Sequence, residues 1–476
     1  MQTTLSMTLP DHIFRGYDLR GLVGSELNDQ TVEVLGKAYA TWLLQRRIYD
    51  CVLGYDCRNS SPHFRDIMVK AMTESGVTVY NIGITLSQIC YFGSYYFRTR
   101  GMVMITASHN PKEYNGFKFG TGYSETMLTE DIVELRELAK AGKFVKREPK
   151  GAHIKKNIFP DYTRDVLRRV DKIKPMRVVV DACAATAGLF IPKILREVGC
   201  YVIEQNTKPD GNFPVGTPDP TEKEVQTRLA KRVVAEKADI GFSYDADGDR
   251  IGVVDDKGNL IWNDTLLALY AKDILDFLPG SKIIYNTLCS KQVDEVIRAN
   301  GGIPVIWKTG HSFIKAKVRE ERAPFGGELS GHIYFVDNFY GHDDGAIASL
   351  RLLAYLTRIN KTLSQAIAEL PHYVSSPEIK VGCPDNIKFQ VVSEKIGGEI
   401  KKLYPQAKYI EIDGVRMDTP DEMLIVRASQ NGPYLTVKFE GKTQGAYDTL
   451  KKQVADILHM VPEVDFASGV NTDSLK

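Results

Sequence analysis

Val52-Leu53-Gly54-Tyr55-Asp56 is a short apolar run, followed by a loop containing Asn59-Ser60-Ser61-Pro62 and a helix-period stretch over about 63–75. Gly76 then stops the helix, and Val77-Thr78-Val79-Tyr80 gives a second apolar run. Strands that are apolar without alternation are covered on both faces. A helix joining two of them makes a right-handed crossover in a mostly parallel sheet. Ser61 and Pro62 read as the N-cap and first helical position, and Gly76 as the C-terminal stop. The order recurs twice. Val178-Val179-Val180-Asp181 leads through a small-residue loop and a helix to Glu197, Gly199 and Tyr201-Val202-Ile203. Ile283-Ile284-Tyr285-Asn286 leads through a helix from about 290 to Gly301-Gly302 and Ile303-Pro304-Val305-Ile306. Three copies imply three related α/β domains.

Boundaries follow from what lies between the copies. A charged, glycine-containing stretch covers 141–157, a turn signal falls at Asp255-Asp256-Lys257-Gly258-Asn259, and a proline-flanked stretch runs from Pro371 to Pro377. The expected division is 1–155, 156–257, 258–370 and 371–476. The last part differs in pattern, with short alternating strands (Tyr409 onward, Met423 onward, Tyr434 onward) split by Asp-Gly and Asn-Gly, then a helix near 444–460. That reads as a smaller C-terminal α+β domain, with a loosely ordered tail after Pro462. Ligands in such sheets gather at the carboxyl ends of the strands.

Composition narrows the function. With 61 basic and 60 acidic residues among 476, the chain carries no electrostatic footprint for nucleic acid or anionic lipid. No stretch is long and apolar enough to span a membrane, and the N-terminus has no secretory pattern. Seven scattered cysteines without a Cys-x-x-Cys pair argue against zinc and against a disulfide framework. Cys90, Cys183 and Cys289 read as small core residues, and a cytoplasmic location is expected.

The chemistry concentrates in a few loops. Thr106-Ala107-Ser108-His109-Asn110-Pro111 follows the buried strand Gly101–Ile105, with Asn115-Gly116-Phe117-Lys118 beyond it. A hydroxyl on a tight turn, beside an imidazole and within reach of a lysine, suits covalent chemistry; a plain surface turn is the alternative. Asp245-Ala246-Asp247-Gly248-Asp249-Arg250 sets three carboxylates at alternate positions, as a hard cation requires. A calcium loop would need a glutamate where Asp256 stands, and a solvated acidic turn is the other rival. Arg250 beside the carboxylates suits a phosphate. Gly327-Glu328-Leu329-Ser330-Gly331-His332 reads either as sugar-hydroxyl ligands or as a simple turn. Arg427-Ala428-Ser429-Gln430-Asn431-Gly432 is either an anion cradle or a plain hairpin, and the basic loop Lys308-Thr309-Gly310-His311 is equally ambiguous.

Taken together these motifs resemble the four signature loops of the α-D-phosphohexomutases, in the family's order and across essentially the whole chain. The forms Glu328-Leu329-Ser330-Gly331-His332 and Tyr17-Asp18-Leu19-Arg20 are most similar to its bacterial phosphomannomutase/phosphoglucomutase branch. The resemblance implies four domains around a central cleft. It also implies exchange of hexose 1- and 6-phosphates through a phosphoserine and a glucose or mannose 1,6-bisphosphate. Ser108 would be the phosphoserine, with Mg²⁺ held by its phosphate, Asp245, Asp247 and Asp249. Lys118 matches the proton acceptor, with a pKa expected to be lowered by the ion, and Arg20 and His109 lie near the phosphoryl group. Glu328 and Ser330 match sugar-hydroxyl readers with His332 beside them, and Arg427, Ser429 and Asn431 the loop for the non-reacting phosphate. Tyr17, Lys308 and His311 would line the same cleft. The expected partners are small hexose phosphates, and the expected state is a monomer or weak homodimer. Leu288 stands where the branch carries a lysine, and Gln430-Asn431-Gly432 where it tends to have Asn-Thr-Thr. Those departures keep three rivals in view: a phosphoglucosamine mutase, a metal-dependent phosphohydrolase and a non-catalytic sugar-phosphate binder.

Overall fold

Apolar runs and glycine stops become strand–helix–strand units where the sequence puts them. The computed structural model describes residues 9–430 and 432–476. The first sheet contains β1 (Leu19–Leu22), β2 (Asp50–Tyr55), β3 (Thr78–Ile84), β4 (Gly101–Ile105), β5 (Tyr114–Gly122), the short β6 (Glu125–Thr126) and β7 (His153–Lys155). Its order is β1-β5-β4-β2-β3-β7. Strands β4, β2, β3 and β7 run parallel, and β5 and β1 are antiparallel, so the sheet is mixed. The expected helix spans Ser61–Glu74. Ser60, not Ser61, is its N-cap, and Ser61 lies inside the helix. The reason is that the Ser61 hydroxyl donates to Asp56 Oδ1 at 2.6 Å instead of capping the helix.

The second sheet repeats the plan with β8 (Arg177–Asp181), β9 (Tyr201–Gln205), β10 (Ile240–Tyr244), β11 (Ile251–Val254) and β12 (Leu260–Ile261), ordered β12-β11-β10-β8-β9. The turn at 255–259 does not end this sheet. Asp255 accepts from the backbone of Lys257 and Asn259, which closes a hairpin and returns β12 onto β11. In both sheets one functional loop joins a parallel strand to an antiparallel one: Ser108 lies between β4 and β5, and Asp245–Arg250 between β10 and β11. Both loops therefore leave the carboxyl end of a parallel strand, where α/β sheets place ligands.

These elements belong to one compact unit, residues 1–263 and 330–368; the other unit is 264–329 with 369–476. In the second unit β13 (Lys282–Asn286) lies parallel between β14 (Ile303–Trp307) and β15 (Phe325–Gly327). Glu328 is the first residue beyond β15. The C-terminal sheet is antiparallel throughout, built on Ile379–Gly382, Lys408–Ile410, Val415–Asp418, Glu422–Ala428 and Tyr434–Gly441. The helix Gln444–His459 carries Leu450, Val454 and Leu458 into its core. The tail contradicts the expected loose ordering. Asp465–Val470 pairs antiparallel with Ile379–Gly382, and Leu475 is buried in the same core. Cys90, Cys183 and Cys289 are buried, as expected of small core residues, and all seven cysteines are free.

Candidate active site

Ser108 sits on the turn after β4 with a left-handed φ of 49° and is 1% exposed. A non-glycine residue is held there only when its surroundings over-determine it, and they do. The Ser108 N–H donates to Thr106 Oγ1 at 2.8 Å. Its carbonyl accepts from Arg58 Nη2 at 2.7 Å. Arg58 also donates to the carbonyls of Asn110, Pro111 and Tyr114, so one buried guanidinium staples the whole serine loop. Asp56 holds that guanidinium at 3.1 Å. Burial raises the Asp56 pKa although Arg58 opposes it, and burial lowers that of Arg58 although Asp56 opposes it. The sequence reading missed both residues; Asp-x-Arg directly after a buried strand was the available signal.

The Ser108 hydroxyl donates to Asp245 Oδ2 at 2.7 Å, joining loops 137 residues apart, and lies 3.2 Å from His109 Nδ1. Asp245, Asp247 and Asp249 are fully buried, and each presents a carboxylate oxygen within 4.8 Å of the others. The tight turn needs Gly248, whose φ is +73°, and whose carbonyl accepts from Gln88 Nε2 at 2.9 Å. Asp247 is also fixed by Ser87, through backbone and hydroxyl. Oδ1 of Asp247 and Oδ1 of Asp249 are buried without a hydrogen-bond partner. Orphaned carboxylate oxygens beside a buried carboxylate trio suit a hard cation with oxygen ligands, so the residues fit Mg²⁺. Burial, then Asp247 and Asp249, push Asp245 well above the usual carboxylate range. Asp247 moves the other way: burial opposes it, but Lys118 dominates. Asp256 is no part of this group; its carboxylate caps Ser364, which removes the calcium-loop reading.

Lys118, on β5, is 2% exposed and donates to Asp247 Oδ2 at 2.7 Å and to Asp249 Oδ2. Its pKa is set by the two carboxylates. Burial alone would lower it, but the charges of Asp247 and Asp249 outweigh burial and raise it well above the usual value. With the carboxylates facing the amine, Lys118 is their counter-ion.

Two arginines face the serine loop. Arg20 donates to Asp18 at 2.9 Å and to Asn110 Oδ1 at 2.6 Å. Arg250 is held by burial, which disfavours its charge, against Asp219, Asp245 and Asp249, which win and raise its pKa. Burial and the charge of Arg250 disfavour the charged form of Arg20, but Asp18 outweighs them and raises its pKa. Arg250 Nε donates to His332 Nε2 at 3.0 Å. The other ring nitrogen, Nδ1, lies 2.9 Å from Asp343 Oδ2. His332 thus contacts both Arg250 and Asp343; Asp343 was missed in the sequence because Gly341-His342-Asp343-Asp344-Gly345 matches none of the motifs weighed there. Ser330, half-buried, follows Glu328 and Leu329 in the chain.

The second unit gathers the remaining residues around Asp413. Its Oδ2 accepts from Arg427 Nε at 2.8 Å, the Thr309 N–H at 2.8 Å and Thr287 Oγ1 at 3.2 Å. Glu328 accepts from the Gly310 N–H at 2.7 Å, in the loop that carries Lys308 and His311. Lys308 lies over the Phe313 ring at 4.0 Å, and His311 is buried. Lys388 donates to the carbonyls of Ser429 and Gly432, pinning the loop of Arg427 and Ser429. Asn431 lies outside the described residues. Leu288 is 3% exposed and packs as an ordinary core residue.

Comparison with known proteins agrees with this geometry. Residues 11–146, 160–258 and 262–373 match phosphoglucomutase/phosphomannomutase alpha/beta/alpha domains I, II and III. The phosphomannomutase/phosphoglucomutase of Pseudomonas aeruginosa is 35% identical, over 95% of this chain and 96% of its own. The phosphoglucomutase of Neisseria gonorrhoeae is 33% identical, over 95% of this chain and 98% of its own. A phosphoglucomutase/phosphomannomutase family protein from Burkholderia thailandensis superposes with a TM-score of 0.87 at 30% identity, covering 95% of this chain and 98% of its own. Three successive domain matches and relatives similar over nearly their full length make the chain a member of the phosphoglucomutase/phosphomannomutase family.

Proposed function

We propose that this enzyme, an isomerase by family, interconverts hexose 1-phosphates and 6-phosphates of glucose, mannose or both, as the names of its relatives do. The observation that carries the reading is the 2.7 Å bond between Ser108 Oγ and Asp245 Oδ2. A strained, buried hydroxyl beside three carboxylates is a poor place for a permanent negative group unless cations offset it. Magnesium on Asp245, Asp247 and Asp249, when bound, supplies that offset; Arg20, Arg250 and Lys118 supply the rest. Phosphoryl transfer depends on such positioning and charge stabilisation more than on covalent assistance.

In this reading phospho-Ser108 gives its phosphoryl group to the free hydroxyl of a hexose monophosphate. The hydroxyl loses its proton, Ser108 Oγ is released, and a 1,6-bisphosphate forms. The bisphosphate turns end for end and its other phosphate returns to Ser108. Lys118, whose amine keeps its proton while paired with two aspartates, gives that proton to the departing Ser108 Oγ as those contacts weaken and takes the hydroxyl proton in its place. Glu328 and Ser330 are assigned to sugar hydroxyls, and Arg427, Ser429 and Asn431 to the phosphate that is not transferred. Tyr17, His109, Lys308 and His311 are assigned to substrate contacts. Burial of Ser108 keeps water from the phosphoserine. Seven free cysteines are consistent with a cytoplasmic enzyme, and no helix among the described residues is long and apolar enough to cross a membrane. The division into four domains, at 155/156, 257/258 and 370/371, is part of the same proposal, with the second boundary moved past β12. Intact mass before and after incubation with glucose 1,6-bisphosphate tests the reading: one phosphoryl group must appear, and must be absent from Ser108→Ala.

A further inference from the structure

The carboxyl ends of β2, β3 and β7 meet a cavity of about 310 Å³ that includes no residue of the serine or aspartate loops. Its lining is Tyr55, Arg65, Asn81, Gly83, Lys155 and Lys156, with Ile82 and Asn157. The volume is at the lower end for small-molecule sites, and the position is where a parallel sheet places ligands. Three cations line it. Arg65 is immobilised, its Nε donating to Asp66 at 2.6 Å and its Nη1 to the Tyr55 hydroxyl at 3.2 Å. Lys155 and Lys156 are exposed and form no salt bridge among the described residues. The floor is polar and fixed. Asn81, 4% exposed, accepts from the Gly83 N–H at 3.0 Å and bonds His153 Nε2 at 3.0 Å. Nearby His153 registers the local field: burial first, then the charges of Lys155 and Arg65, lower its pKa despite Asp66. The cavity therefore combines an arginine held in place by Asp66 and Tyr55, its Nη2 not engaged in those two bonds, with two uncompensated ammonium groups, the chemistry that receives a phosphate dianion.

We propose that this cavity is a second anion site, separate from the serine loop, which takes a phosphate group either as free phosphate or as the ester of a small metabolite. Its location gives an occupant a short route to the chemistry. Tyr55 lines the cavity, and the next residue, Asp56, holds the arginine that staples Ser108.

The test is calorimetric titration of the full chain with two probes, inorganic phosphate and 3-phosphoglycerate. Lys155→Gln/Lys156→Gln and, on a different element, Arg65→Gln are titrated in parallel. Tighter binding of 3-phosphoglycerate identifies an ester site, and tighter binding of inorganic phosphate a free-phosphate site. In either case both variants must weaken the tighter event at least about tenfold, the scale of lost charge-assisted contacts. The mutase kcat and KM of the lysine variant, measured without probe, must stay within about twofold, because neither lysine touches the reacting groups. A smaller loss of binding in either variant, or no binding of either probe by the full chain, overturns the proposal.

Discussion

The serine-centred region and the Asp413-centred region are both buried and both tightly bonded, yet the groups they leave unpaired are opposite in sign. Around Ser108 three carboxylates share one directly bonded ammonium, and two of their oxygens have no partner. Around Asp413 one carboxylate ties together an arginine, a backbone N–H and a threonine, in a unit that also presents Lys308, His311 and Lys388. The first region leaves two carboxylate oxygens without a hydrogen-bond partner, and the second leaves Lys308 over a ring with no carboxylate partner among the described residues. A cation suits one and an anion the other, which is the polarity expected of an enzyme that activates one phosphate and grips another.

Replacing the phosphoryl carrier is the harshest way to break that contrast. Ser108→Ala should lose turnover on the order of 10⁴-fold or more, as enzymes do on losing a nucleophile. A coupled assay for glucose 6-phosphate formation checks it, and retention of even a tenth of the rate would end the phosphoserine assignment. Arg58→Met comes next. It leaves buried Asp56 without its counter-ion and releases four loop carbonyls, so stability should fall by about 3–5 kcal/mol, read as a lower denaturation midpoint. Asp247→Asn removes one charge from the trio and should cost about 10²- to 10³-fold in kcat, partly restored by excess Mg²⁺. A variant indifferent to Mg²⁺ would mean the orphaned oxygens serve something other than a metal.

The two regions also differ in how readable they were. The serine and aspartate loops were legible because their chemistry is local: alternating carboxylates around one glycine, and a hydroxyl on a turn after an apolar strand. The strands that position them were legible for the same reason, since continuous apolar runs and glycine stops act within a few residues. What escaped was long-range. Arg58 binds carbonyls 50 to 56 positions away, and Asp413 collects Thr287, Thr309 and Arg427 from three separate segments. The direct pairing of Lys118 with Asp247 and Asp249 escaped similarly, because it joins residues 129 and 131 positions apart. The tail failed because Asp465–Val470 has little apolar content of its own, and its order comes from an edge strand waiting to be paired.

Arg427→Ala is a milder probe and separates the regions most cleanly. Arg427 belongs to the anion-binding side and, in the proposed reading, contacts a phosphate that stays where it is while the other one moves. Such a contact stabilises the bound substrate and the transition state alike, so its loss should appear in KM, by about tenfold, with kcat within about twofold. Losing the arginine also frees Asp413, whose carboxylate keeps the Thr309 N–H and Thr287 hydroxyl, so the fold should survive. Steady-state kinetics on glucose 1-phosphate decides the matter. A fall in kcat with KM unchanged would place Arg427 in the transferring step, and the division between a cation-hungry donor and an anion-hungry grip would no longer hold.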